Sequence, residues 1–148
     1  MKLKSLQTYR NKWNSLRGEE RYLFFKAYIS LLVIKSGLLV LPFPTFRKLY
    51  NRLAASTTKK EVTGDYINAT VWAIKSAASH SPVEMLCLPR ALAAKYLLRK
   101  VPALTLEIGV EINAAKTFEA HAWVEKNGSI IIGDWPETVS YQRLWVWE

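Results

Sequence analysis

The sequence is poor in the residues that bind metals or cross-link chains. Its 148 residues include one cysteine, Cys87, and two histidines, His80 and His121. A single cysteine excludes an internal disulfide, and a reducing compartment follows as the simplest setting. One Cys and two His at no ligand-like spacing leave no zinc framework. The chain has no glycine-rich phosphate loop, so a P-loop nucleotide site is excluded and no cofactor is expected. The opening residues, MKLKSLQTYRNKWNSLRGEE, are polar and basic, unlike an ordinary signal peptide. Acidic residues are scarce at the front. Residues 1–60 carry thirteen Lys and Arg against Glu19 and Glu20, whereas residues 61–148 carry eight against ten. The basic character therefore belongs to the first part. It suits an acidic partner, with a solvated basic face as the alternative. Nucleic acid is not expected, because charge alone without a recognised module does not define a binder.

Half the residues are apolar and 12% are aromatic, enough for a folded core. Residues 19–37, EERYLFFKAYISLLVIKSG, read as a helix with acidic residues at its start and Gly37 just past its end. Lys26 and Lys35 leave too short an uncharged stretch to span a bilayer, so a buried core helix is the reading adopted. An interfacial membrane contact is the alternative. A short basic helix follows over 44–55, after Pro42, and a polar loop over 56–64. Residues 65–79 repeat apolar positions at helical spacing (Ile67, Val71, Ile74, Ala78). Another helix starts close to Cys87 and ends before Pro102. The period then changes to two: Leu104, Leu106, Ile108, Val110 and Ile112 alternate with polar residues or glycine. A strand over 103–112, a loop over 113–118, strands over 119–126 and 129–134, and the aromatic YQRLWVWE, a final strand or a segment packed back on the sheet, complete an α+β order. The change in charge divides the chain into a basic helical segment, 1–60, packed on the core, and a domain over 61–148.

Asn127-Gly128 is a two-residue hairpin signal. With these as the loop, Lys126 faces Ser129, Glu125 faces Ile130, and His121 falls opposite Asp134. That would be a non-hydrogen-bonded pair, with Cα atoms about 4.5 Å apart. A one-residue bulge would put the two on opposite faces. A histidine held by a carboxylate is the base half of a catalytic triad. Cys87 is the one available thiol, and a helix N-terminus favours its thiolate. Pro89 fits the first turn, where its missing N–H costs nothing. Taken alone, Cys87 reads more readily as a small buried hydrophobe.

The order Cys at a helix start, His on a strand, Asp ending the next strand resembles the transglutaminase-like, papain-related cysteine enzymes. The text CLPRALAAKYLLRK, IGVEI, EAHAWVEKNG and IIIGD is similar to the leader peptidases of lasso-peptide biosynthesis, which are related to the C-terminal part of the microcin-processing protein. The resemblance covers residues 65–135, and residues 1–55 more loosely. It implies a papain/transglutaminase-like fold and a cytoplasmic cysteine peptidase that removes the leader from a ribosomally made precursor peptide. A peripheral contact at the inner face of the membrane is the alternative placement. By motif, Cys87 becomes the nucleophile, His121 the base and Asp134 the orienting acid. The implied partners are the precursor, a separate leader-recognition protein and the ATP-dependent lasso cyclase.

Other residues near the motif are candidates for substrate contact. They are Leu88 and Arg90 at the helix start, with the first-turn N–H groups as oxyanion donors, and Trp123 and Trp135 as groove walls, with core or edge packing as the alternative for both tryptophans. His80 is a rival base in a loop, and Glu125 reads as a surface residue. Two other functions remain open. One is an acyltransferase that resolves the same thioester with an amine. The other is a non-catalytic module that binds through its basic N-terminal helices.

Overall fold

The structure, a computed structural model, describes residues 10–112, 118–137 and 139–147. The loop expected over 113–118 falls almost wholly outside these residues. Residues 10–15 are helical. Four helices follow: α1 (Gly18–Val40), α2 (Phe43–Ala54), α3 (Gly64–Ser79) and α4 (Cys87–Leu97). The strands β1 (Leu104–Ile112), β2 (Phe118–Lys126), β3 (Ser129–Ile132) and β4 (Gln142–Trp147) form one antiparallel sheet in the order β3-β2-β1-β4. The α+β expectation holds.

Helix α1 runs past Gly37, contrary to the expectation that Gly37 ends it. The reason is packing. A Cβ on Gly37 would lie 3.0 Å from the Phe46 ring, so the missing side chain lets α2 tuck beneath α1. The chain instead turns at Pro42, the N-cap of α2, with Pro44 tolerated in the first turn. Thr63 opens α3 by accepting a hydrogen bond from the Tyr66 N–H.

The helices cover one face of the sheet. Leu23, Ala27, Leu31 and Ile34 of α1 share a core with Ala73, Ile74 and Ala77 of α3, and Ala91–Ala94 of α4 lie in the same core. The sheet adds Leu106, Ala122, Val124, Ile132 and Trp147. The basic helices at the front are thus built into the same core as the sheet. Helix α2 is tied in by polar bonds. The Tyr50 hydroxyl donates to the Leu92 carbonyl of α4 at 2.7 Å, and Trp147 Nε1–H donates to Asn51 Oδ1 at 2.7 Å.

The hairpin forms as expected. Asn127 and Gly128 both take positive φ (51° and 79°), as a type I′ turn requires. Lys126 pairs with Ser129 and Glu125 with Ile130, but Val124 then pairs with Ile132. Ile131 is the extra residue of a bulge. Strict alternation would turn one of the two adjacent isoleucines away from the helices. The bulge lets Ile131 and Ile132 both pack against the helix layer. The slip also means that His121 does not face Asp134, which lies beyond the end of β3. This corrects the register read from the turn alone.

Burial pushes the Tyr50 phenol well above its ordinary value of 10.0. The unfolded chain ionises at that value and the folded chain resists. The contribution is therefore complete below pH 10 and declines as pH rises beyond it. Tyr50→Phe should cost about 0.5–1.5 kcal/mol at neutral pH. Above pH 10 the wild type should lose about 1.4 kcal/mol per pH unit that the variant does not lose. Urea unfolding at pH 7 and pH 11 measures both differences.

Candidate active site

Cys87 is the first residue of α4, behind an extended Leu86 cap that offers no side-chain acceptor. The N–H groups of the first turn are therefore free of intrahelical partners. Pro89 removes one donor that the helix does not use. The thiol is half-buried. It opens onto a cleft of about 400 Å³ whose walls include Lys75, Arg90, His121, Gly133 and Asp134. Helix start, β2 and the end of β3 thus bring the sole cysteine and one histidine to the same hollow. Among the described residues no hydrogen bond joins thiol and imidazole. Such bonds are commonly long before substrate binds.

The His121 ring is fixed by four neighbours. Nε2 lies 2.6 Å from the Gly133 carbonyl oxygen. A carbonyl only accepts, so Nε2 carries the proton in the neutral ring and Nδ1 keeps its lone pair. Tyr141 stacks on the imidazole at 4.8 Å, Trp123 lies parallel at 6.1 Å, and Trp135 meets it edge-on at 5.6 Å. Partial burial pushes the Tyr141 phenol above its ordinary value, helped by Glu119, Glu111 and Cys87. The phenol thus remains a neutral donor beside the site.

Asp134 does line the cleft, but its carboxylate is largely exposed and pairs with Lys75 Nζ at 3.4 Å. An exposed pair of this kind contributes little to stability. The position that the carboxylate was expected to occupy against His121 is held by the main-chain carbonyl of the preceding residue. Gly133 has φ 92°, and a Cβ there would lie 2.7 Å from that of Trp123. Glycine is what lets the chain reach His121 at this point.

Of the remaining expected residues, Arg90 is exposed on the cleft wall. The Leu88 side chain packs on the core, leaving only its N–H facing the helix end. Trp123 is not a groove wall, because it is 2% exposed and lies on the sheet face away from the helices. Gly109 makes room for it, since a Cβ there would lie 2.8 Å from the indole. Trp135 stands behind His121 and does not line the cleft. Glu125 is buried, not a surface residue. It accepts from Trp123 Nε1–H and from Arg143, each at 2.8 Å. His80 stands at the end of α3, with Nδ1 2.7 Å from the Ser76 carbonyl, and lines a separate groove. Sequence reasoning missed Tyr141, Lys75 and Gly133. Gly133, a glycine at the end of an apolar strand, carried a readable signal. Tyr141 and Lys75 carried none, since they reach the site only through tertiary packing.

Cys87, at a helix N-terminus, thus shares a cleft with the strand histidine His121. The model of the transglutaminase-like superfamily matches residues 32–146, and the chain belongs to that superfamily. No curated protein and no solved structure gives a match. The superfamily suggests cysteine peptidase or acyltransferase activity.

Long-range nitrogen–proton NMR spectra of the neutral ring should show His121 protonated at Nε2. Gly133→Ala should move that signal and cost about 1–3 kcal/mol in urea unfolding, through overlap with Trp123 and strain at positive φ.

Proposed function

We propose that the protein is a cysteine peptidase that removes the leader from a ribosomally made precursor peptide, of the kind processed in lasso-peptide biosynthesis. The observation that carries the chemistry is the shared cleft of Cys87 and His121, with Nε2–H spent on the Gly133 carbonyl. Nδ1 then takes the thiol proton. The thiolate adds to the scissile carbonyl, and first-turn N–H groups, those of Cys87 and Leu88, receive the oxyanion. The imidazolium protonates the departing amine, leaving a thioester on Cys87. Water, deprotonated by His121, then releases the acid and regenerates the thiol. Asp134 is the acidic member of the site. From the cleft wall its charge favours the imidazolium that forms during attack.

The peptide substrate and the leader are supported by the motif text around Cys87, His121 and Asp134. The same text supports a separate leader-recognition protein that delivers the precursor, and the ATP-dependent cyclase as the next enzyme. The site also suits an acyltransferase, since an amine in place of water resolves the same thioester. Product mass separates the two: hydrolysis adds one water and transfer adds the amine.

Iodoacetamide reads the single thiol without ambiguity. At pH 7 wild-type Cys87 should be alkylated faster than the same residue in His121→Ala. In precursor cleavage with the recognition protein present, Cys87→Ala should abolish turnover, and His121→Ala should lower it about 10²–10⁴-fold. Asp134→Asn should lower it by less than His121→Ala, because the Gly133 carbonyl preserves the tautomer. Slow alkylation in wild type and His121→Ala alike, until the chain unfolds, would mark Cys87 as structural.

A further inference from the structure

Helix α1 has two apolar faces, and only one of them is used. Leu23, Ala27, Leu31 and Ile34 enter the core. On the opposite side Tyr22, Phe25, Ile29, Val33 and Val40 recur at helical spacing and are 54–79% exposed. The outward side of a helix on a globular protein is ordinarily polar. Five large apolar side chains in one exposed stripe form the kind of patch that marks an interaction surface. By length and composition α1 is apolar enough to cross a membrane. Its inner face, however, is built into the core shared with α3 and α4, so it lies against the body of the protein and does not cross.

We propose that α1 docks flat on an anionic lipid surface through this stripe. Charge selects the occupant. Residues 1–60 carry thirteen Lys and Arg against two acids, which an anionic bilayer attracts. The same excess repels a second copy of this chain. Lys26 lies on the stripe itself, its ammonium 5.1 Å from the centre of the Tyr22 ring. An apolar stem with a cationic end beside an aromatic ring suits the boundary between acyl chains and headgroups. From Tyr22 to Val40 the stripe runs about 27 Å along the helix, all of which can rest in one plane.

Co-sedimentation of the full chain with phosphatidylglycerol vesicles and with phosphatidylcholine vesicles tests this. The wild type should partition into the anionic vesicles about tenfold or more better than into the neutral ones, and less well as salt rises. Phe25→Glu with Val33→Glu should reduce partitioning about tenfold or more, and the milder Phe25→Ser with Val33→Ser by less. Far-UV circular dichroism confirms that each variant is folded. Three results would overturn the proposal. They are wild type left in the supernatant with anionic vesicles at low salt, partitioning unchanged in both variants, or a wild-type dimer that the Glu variant dissociates.

Discussion

The burial of α4 on nearly every side is the constraint from which the rest follows. Ala91, Leu92, Ala93, Ala94 and Lys95 are all buried, although they lie in consecutive directions around the helix. A helix enclosed in this way must be narrow, and three alanines in four residues make it so. Small side chains let the sheet approach from one side and α1 and α3 from the others. Tyr50 closes a further side with a hydrogen bond to the Leu92 carbonyl, and Lys95 donates to the Trp147 carbonyl at 2.7 Å. The helix start is thereby fixed relative to both β2 and β3. Cys87 needs no further device to hold it, since its place follows from the packing of the ten residues behind it.

What was legible beforehand was local. Pro89 after Cys87 marked the helix start, Asn127-Gly128 marked the turn, and the alternation from Leu104 to Ile112 marked the strand. Each signal rests on backbone preferences within a few residues. The misreadings share the opposite character. Gly37 looked like a helix end because its partner, Phe46, belongs to the next helix. The register of β3 slipped because a run of three isoleucines gives no hint of which two will face the helices. Trp123 read as a groove wall or a packing residue, and Glu125 as surface, because nothing nearby in sequence announces Gly109, Arg143 or Tyr141. Half of the candidate site was therefore visible: a thiol at a helix start and a histidine on a strand. The contact between His121 and Gly133 was hidden by one residue of bulge.

The two faces of the sheet do different work. The helix side is apolar and carries the packing that positions Cys87. The other side holds Trp123 over Gly109, with Glu125 and Glu107 joined through Arg143. Trp123 and Tyr141 lie parallel to the His121 ring and fix its plane. Cys87 and His121 thus draw on both faces and share the cleft where β3 stops short, at the edge of the sheet.

The group that holds His121 belongs to the main chain. No side-chain truncation deletes the Gly133 carbonyl, and a scan that replaces side chains one at a time would pass over it. It is inherited as a permitted backbone angle, not as a functional group. Random substitution can remove it only by displacing the peptide plane, whether through a Cβ at residue 133 or through any change that irons out the bulge at Ile131. An apparently featureless run of isoleucines and a glycine thereby carries a constraint that no side chain announces.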